Sequence, residues 1–220
     1  MPKARGPERP SPDRAPETRD RLLEAAEPLF AARGFGGTSM RALTTAARCN
    51  LAAVNYHFGD KTSLYREVIR RRLRAMREQR IASIVRTMSE AGEGADIDLL
   101  LRSFTLAFLE PHLDESRGRV LMQLMSREML EPHMPPRTFE KEMIEPVLEA
   151  LTRALRTIHP RLQARAARRG IHSLIAQLAH VVHMRRMPGF ERGGSGADFK
   201  FPDVIDHIVR FSAAGLRAGL

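Results

Sequence analysis

The sequence predicts an all-α protein of about nine helices, with a short basic N-terminal domain followed by a longer helical domain. Apolar residues recur at three- and four-residue spacings along most of the chain, and no segment alternates as a half-buried strand does. Prolines and glycines separate these periodic segments. Since 43% of its 220 residues are hydrophobic, the chain can bury a sizeable core of helix packed on helix.

Positive charge is concentrated near the N-terminus. The chain has a formal net charge of +10, and residues 1–80 hold 17 Lys/Arg against 9 Asp/Glu, which is +8 of that total. A basic region of this kind attracts polyanions such as DNA. The alternative is an arginine-rich surface that is simply solvated.

Composition also predicts the compartment. Cys49 is the single cysteine, so no internal disulfide framework is expected. The first residues lack the apolar stretch of a secretion signal, and no segment approaches the roughly 20 apolar residues of a membrane-spanning helix. We therefore expect a cytoplasmic protein that has no membrane partner.

The first elements follow from local signals. Residues 1–16 contain five prolines and no apolar periodicity, and are predicted to form a flexible basic arm. A helix is predicted from an N-cap at Thr18 to a stop at Gly34, with a kink at the interior Pro28. Its apolar face is formed by Leu22, Leu23, Ala26, Leu29 and Phe30.

Two short helices then indicate a helix-turn-helix within a domain at 17–63. Thr38 or Ser39 is expected to cap the first, which buries Met40, Leu43 and Ala47. The turn Arg48-Cys49-Asn50 leads to the second, which buries Leu51, Val54 and Phe58 and is capped by Asn50. Asp60 is expected to cap the next helix and to place Lys61 at its positive end. An ordinary three-helix corner with a solvated face remains the alternative.

The outward face of the second short helix suits a DNA major groove. Ala52 and Ala53 permit close approach and contact with thymine methyl groups, and the Asn55 amide can pair with adenine. Tyr56 and His57 can donate hydrogen bonds to phosphates. From the residues alone, this face fits either the reading of double-stranded DNA or the solvated side of a three-helix corner.

The rest of the chain, 64–220, is predicted to form a helical effector-binding and dimerisation domain. Helices are expected at 61–88, 96–110, 116–130, 136–158, 161–186 and 202–217. Pro111 is expected to end one helix and Pro146 to kink another. The glycine-rich stretch 188–201 is predicted to be a mobile loop.

The N-terminal motifs resemble a known family. The runs Arg33-Gly34-Phe35, Thr38-Ser39-Met40-Arg41, Asn50 to Lys61, and Leu64-Tyr65 are similar to the DNA-binding domain of TetR-family regulators over residues 18 to about 70. The resemblance implies that Thr38, Asn55, Tyr56, His57 and Lys61 contact DNA and that Phe58 locks the recognition helix to the core. The resemblance and the residue pattern together give the following candidate DNA contacts: Thr38, Ser39, Arg41, Asn50, Ala52, Ala53, Asn55, Tyr56, His57 and Lys61.

The turn departs from the family pattern at two positions. Arg48 stands where the family usually has glycine, so either the turn differs or a non-glycine residue adopts a positive φ at a cost of about 1 to 2 kcal/mol. Cys49 stands where valine is usual. We expect Cys49 to be a small buried apolar residue, with a redox-sensing thiol as the alternative.

The C-terminal region resembles the CecR-like branch of the same family. The similar runs are Phe108-Leu109-Glu110-Pro111, Arg127 to Pro132, and Ile144-Glu145-Pro146, and they imply an effector pocket among the central helices. Arg127 and Glu128 are expected to form structural pairs. The candidate lining residues are Phe104, Phe108, Leu121, Met122, Met125 and Met129, which suit an apolar or aromatic small molecule, although such a stripe is also typical of plain core.

A homodimer is expected because a single short recognition helix reads only a few base pairs. The apolar faces of the last two helices are the candidate interface, with covering of their own domain as the alternative. The interface candidates are Leu174, Ile175, Leu178, Val182, Ile205, Ile208 and Val209.

The resulting prediction is a ligand-responsive regulator that binds a palindromic operator as a homodimer and is released by a small-molecule effector. Repression is favoured over activation. A sequence-unspecific architectural DNA-binding protein is the first alternative. A metal-dependent enzyme that uses His172, His180 and His183 is the second, but no phosphate loop, nucleophile elbow or carboxylate pair accompanies them. We therefore expect no enzyme activity, no catalytic residues, no cofactor and no metal.

Overall fold

The computed structural model describes residues 15–185 and 201–219, and these residues are almost entirely helical. The described helices are α1 (Ala15–Gly37), α2 (Met40–Ala46), α3 (Leu51–Phe58), α4 (Lys61–Ala91), α5 (Ile97–Leu113), α6 (Glu115–Leu130), α7 (Glu145–Ile158), α8 (Ala164–Met184) and α9 (Phe201–Ala218). A 3-10 turn at Gly92–Gly94 follows α4, and a π-helical turn at Glu140–Ile144 precedes α7. No strand occurs in these two ranges, so the all-α prediction is confirmed.

Two predicted segments fall largely outside the described residues. Of the expected basic arm at 1–16, only the last two residues are described, and they begin α1. Of the expected loop at 188–201, only Phe201 is described, as the first residue of α9. Within the described part of the chain, no helix combines the length and apolarity needed to cross a bilayer.

The helices form two compact units. The first comprises residues 15–72 together with Arg119–Pro135, and the second comprises Leu73–Gly118 with residues 136–185 and 201–219. This division differs from the predicted boundary at residue 63. The first turns of α4 bury Leu64, Tyr65 and Val68 in the first unit, so that unit extends beyond the helix-turn-helix itself.

Helix α1 breaks where glycine was predicted to stop it. Gly34 has φ 73° and ψ 177°, and one further turn continues to Gly37. Pro28 lies inside the helix, as predicted, and the residue with non-helical dihedral angles is Gly34. The Thr38 hydroxyl donates a hydrogen bond to the Gly34 carbonyl at 2.8 Å, which ties the broken end of α1 to the start of the next helix.

The caps of the short helices form as the sequence predicted. The Ser39 hydroxyl accepts from the Ala42 amide at 3.1 Å, and the Asn50 carboxamide accepts from the Ala53 amide at 2.9 Å. Asp60 caps α4 in the same way through the Ser63 amide at 2.6 Å. These local bonds fix where each helix begins, and so they set the position of α3.

The turn between α2 and α3 holds Arg48 in the left-handed region, with φ 51°. Arg48 is exposed, and its amide donates to the Thr45 carbonyl at 3.2 Å. The expected backbone strain is therefore present, because a side chain at this φ crowds the following carbonyl oxygen.

Replacing Arg48 with glycine is expected to raise the free energy of unfolding by about 1 kcal/mol, because glycine adopts this φ without a Cβ clash. Denaturant unfolding followed by circular dichroism measures the change. Arg169→Gly is the matched control, because it removes an exposed arginine from inside α8 and should cost about 1 kcal/mol instead. A loss of stability in Arg48→Gly equal to that of the control would contradict the account of the turn.

Two prolines of the C-terminal region behave differently from prediction. Pro111 lies inside α5, which continues to Leu113, so it does not end that helix. Pro146 lies in the first turn of α7, after the π-helical turn, where a missing N–H costs no helical hydrogen bond. The predicted kink inside one long helix at 136–158 is therefore a change of helix type.

The second unit is built around α9, which packs on both α5 and α8, while α7 packs on α8. Six of the seven residues predicted to form a dimer interface are buried within this single chain; they are Leu174, Leu178, Val182, Ile205, Ile208 and Val209. Ile175 is half-buried. These six side chains pack in the core between α8 and α9 of the single chain, and their part in a dimer interface stays a prediction.

Candidate nucleic-acid interface

Helix α3 lies on the first unit with one side buried and the other open. It packs against both α1 and α2, and Val54 is fully buried between them. Leu51 was expected to share this inward face, but it is 52% exposed because it occupies the first position of the helix, before the packed turn. Gly59, with φ 81°, ends the helix.

Three candidate DNA contacts on α3 face solvent. Tyr56 is 78% exposed, and Ala52 and Asn55 are exposed beside it. The Asn55 side-chain amide has no hydrogen-bond partner within the described residues, so both its donor and its acceptor are available. Arg41 on α2 is also exposed, whereas Ala53 is half-buried. An unpaired carboxamide beside a small alanine side chain suits contact with base edges.

Four other candidates have roles inside the domain. Thr38 is fully buried, and its hydroxyl bonds to α1 carbonyls, so it is unavailable to DNA in this structure. Ser39 and Asn50 use their side-chain oxygens as helix caps. The Lys61 ammonium lies 4.3 Å from the centre of the Phe35 ring. Ser39 and Asn50 thus act as the caps that the sequence predicted, and DNA contact by these four residues stays a prediction.

His57 lies at the edge of α3 and is half-buried. Burial lowers the pKa of His57, and the positive charge of nearby Arg19 lowers it further. The imidazole is therefore neutral at pH 7, and its ring meets the Tyr56 ring edge-on at 5.0 Å. A neutral His57 can still donate one hydrogen bond to a phosphate.

A basic pocket that the sequence did not predict lies at the C-terminal end of α3. Its volume is about 280 Å³, and its lining includes three arginines from α1 and α4; the lining residues are Arg19, His57, Phe58, Ser63, Arg66, Glu67, Arg70 and Pro135. Arg19 pairs with Glu67 at 2.9 Å and lies over the Phe58 ring. Arg19 and the α4 arginines are far apart in sequence, so only the fold brings them together.

Cys49 is a free, half-buried thiol in the turn. Burial raises the pKa of Cys49, although the charge of Arg21 opposes the shift. The thiolate is therefore disfavoured, which is the opposite of what a reactive cysteine requires. The apolar-filler interpretation fits this environment better than the redox alternative, but the side chain is less buried than expected.

The end of α6 is fastened to the first unit by two charged residues. The Arg127 guanidinium donates to the carbonyls of Ala31 and Ala32 at 2.7 and 2.6 Å, at the end of α1. The Glu128 carboxylate accepts from the amides of His133 and Met134 at 3.0 and 2.8 Å. Both residues have structural partners, as expected.

The predicted effector-pocket residues divide between the units. Phe104 and Phe108 are buried in the second unit. In the first unit, Leu121 is buried, Met122 and Met125 are half-buried, and Met129 is 83% exposed. An exposed Met129 has no packing neighbours to form a pocket wall, so its candidacy is the weakest of the six.

The histidines that suggested a metal enzyme lie on one helix of the second unit. His172, His180 and His183 are all exposed on α8. Among residues 15–185 and 201–219, no three His, Cys, Asp or Glu side chains are grouped closely enough to hold a metal ion.

Comparison with known proteins gives matches over both regions. Residues 22–68 match the model described as "Bacterial regulatory proteins, tetR family", and residues 102–215, just over half of the chain, match "Tetracyclin repressor-like, C-terminal domain". Among individual proteins, the chain is 29% identical over 111 residues to the HTH-type transcriptional regulator AcrR of Shigella flexneri, which is 50% of this chain and 49% of that protein. It is 32% identical over 88 residues to the HTH-type transcriptional repressor AcnR of Corynebacterium glutamicum, which is 38% of this chain and 47% of that protein.

The matched segments thus span about half the length of those two relatives. Among solved structures, a protein of Mesorhizobium loti described as a TetR-family regulator superimposes with a TM-score of 0.67 and 17% identity, over 93% of this chain and 97% of that one. This likeness concerns the fold. The two family matches show that the chain belongs to the TetR family of bacterial transcriptional regulators.

Proposed function

We propose that this protein is a repressor that binds a palindromic operator as a homodimer and is released by a small-molecule effector. The observation that carries the proposal is the solvent-facing side of α3, where Asn55 offers an unpaired carboxamide next to Ala52 and the 78% exposed Tyr56. Because α3 is capped at Asn50 and packed through Val54, this face is held rigidly.

Base reading and phosphate contact divide between neighbouring surfaces. The Asn55 amide matches the N6 donor and N7 acceptor of adenine, and Ala52 allows approach to a thymine methyl group. The basic pocket around Arg19, Arg66 and Arg70 lies at the far end of the same helix and suits the DNA backbone. Phosphate contacts fix the orientation, and the α3 face supplies the sequence preference.

The dimer surface that we propose is the exposed side of α8 and α9. Phe211 is 63% exposed and stacks with His207 on α9. Beside them is an apolar groove of about 460 Å³ between the two helices; it is lined by Ala176, Gln177, His180, Val181, Met184, Val204, His207 and Ile208. A second copy of the chain, related by a two-fold axis, covers the same face on both protomers.

The proposed release of the dimer from its operator is a shift in the populations of its conformations. An effector that prefers one arrangement of the second unit changes the spacing of the two α3 helices in the dimer, and so lowers operator affinity. Helix α4 contributes residues to both units and gives a continuous covalent path. The runs Glu110-Pro111, Glu131-Pro132 and Glu145-Pro146 support placing the effector domain in the CecR-like branch.

A sequence-unspecific architectural DNA-binding protein is the second candidate, and the +8 charge of residues 1–80 favours it. Selection of bound sequences from random duplex DNA at physiological salt distinguishes the two. Enrichment of a palindrome with half-sites spaced by whole helical turns supports the repressor. Recovery of unenriched DNA supports the architectural protein.

A further inference from the structure

Arg80 is a buried cation in the second unit. It lies on α4 and is 3% exposed. Its guanidinium carbon lies 4.0 Å from the centre of the Phe108 ring, and its Nη1 donates to the Met143 sulfur at 3.2 Å. Its Nε has no hydrogen-bond partner, and no carboxylate pairs with it within residues 15–185 and 201–219.

These contacts do not neutralise the positive charge of the Arg80 guanidinium. An aromatic face and a thioether sulfur attract a cation weakly, whereas removal of a full charge from water is costly unless an anion accompanies it. Burial lowers the pKa of Arg80 to about 10, so the guanidinium still carries its proton at neutral pH. The unit therefore holds a positive charge that the described side chains leave uncompensated.

Other arginines of the same unit show the usual arrangement. Arg168 pairs with Glu145 at 2.9 Å, and Arg102 pairs with Asp206 at 2.7 Å, and both pairs are well exposed to solvent. Arg80 combines the deepest burial with the absence of a carboxylate. Burying an unpaired arginine lowers stability, so methionine or leucine would fill this position with less loss of stability.

The side chains that contact Arg80 are an aromatic ring and a thioether. Phe104 and Phe108 on α5 are buried, as is Met143. In the same unit, the hydroxyls of Thr105 on α5 and Thr152 on α7 are buried and have no hydrogen-bond partner within the described residues. Helices α5 and α7 pack against each other, and both lie in the unit that holds Arg80.

We propose that the effector is an organic anion whose carboxylate pairs with Arg80 and whose apolar body packs in the second unit beside Phe108. The free Nε lies on the edge of the guanidinium that, with Nη2, grips a carboxylate through two parallel hydrogen bonds. This assignment rests on the proposed function, and it narrows the expected effector from any apolar or aromatic compound to an anionic one.

The experiment is a thermal-unfolding series on the full chain. The probes are benzoate, 2-naphthoate, octanoate and decanoate, each compared with its neutral primary amide at the same millimolar concentration. At least one carboxylate is expected to raise the Tm of the wild type by about 5 °C when it is present well above its Kd, and the matching amide is expected to raise it by less than about 1 °C.

The variant Arg80→Met removes the cation and keeps an apolar side chain of similar reach. It should unfold at or above the wild-type Tm without ligand and lose the carboxylate shift. Arg86→Met, at an exposed position of the same helix, should keep the full shift. If Arg80→Met fails to fold, the comparison of each acid with its amide on the wild type still tests whether the ligand must be an anion.

Three results would overturn the proposal: no shift from any of the four carboxylates, an equal shift from the amide, or an equal shift from sodium chloride. Operator binding is measured separately on DNA selected from random duplexes. A carboxylate shift without any change in DNA affinity would keep the Arg80 site and overturn its effector role. Absence of sequence-specific DNA binding would overturn the proposed function, while the carboxylate series would still test the site.

Discussion

Replacement of Asn55 with alanine is expected to weaken binding to the selected operator by at least about 30-fold. A bidentate amide–adenine contact contributes about 1 to 3 kcal/mol, and a symmetric dimer makes it twice. The exposed Asn55 side chain has no other partner in the described residues, so its removal should leave the fold intact. Fluorescence anisotropy with a labelled duplex measures the Kd.

The matched control for Asn55 is Gln123→Ala, which removes an exposed amide from α6 in the same unit. Its operator affinity should stay within about two-fold of the wild type, since a surface substitution away from DNA changes no contact. The interpretation of α3 would be wrong if the two variants lost affinity equally. An unchanged Tm in both variants separates a lost contact from a lost fold.

Arg72→Met is expected to lower the free energy of unfolding by about 2 kcal/mol. Arg72 on α4 pairs with Glu27 on α1, with its Nε at 2.6 Å from the carboxylate. The Glu27 side chain is only 9% exposed, so loss of the arginine leaves a buried carboxylate without its cation. Breaking a buried pair costs about 3 to 5 kcal/mol, and the partial exposure of Arg72 reduces this figure.

The neighbouring pair is the control for this prediction. Arg71 lies 3.6 Å from Glu24, and the two side chains are 41% and 67% exposed, so Arg71→Met should cost less than about 1 kcal/mol. The double variant Arg72→Met, Glu27→Met should recover most of the lost stability, because the buried charge is then gone. Equal losses from Arg71→Met and Arg72→Met, measured by urea unfolding, would contradict the burial argument.

The features that the sequence predicted best are those that depend on residues close together in the chain. Ser39, Asn50 and Asp60 begin their helices through side-chain oxygens that bond to amides three residues ahead, and this signal is local. The positive φ of Arg48 is one of the two outcomes expected from the resemblance, which places a glycine at this position of the turn. Features of this kind need no knowledge of the tertiary structure.

Burial against distant parts of the chain was harder to predict. The apolar stripes of α8 and α9 show that a face is buried, but not whether its own chain or a partner covers it, so the burial of Leu174 and Ile208 within the single chain did not follow from their spacing. Arg80 follows a run of arginines on α4 that are exposed or half-buried, and nothing in the spacing marks it as the one that enters the core. Such placements depend on packing between helices that are remote in sequence.

Recognition of base sequence by α3 is tested by the ratio of two dissociation constants. The Kd of the wild-type protein is measured at physiological salt on the selected palindrome and on a scrambled duplex of the same length and composition. If α3 reads base sequence, the Kd on the palindrome should be lower than that on the scrambled duplex by about 10³-fold or more. A ratio near one, with equally steep salt dependence on both duplexes, would contradict the claim and indicate binding through phosphates alone.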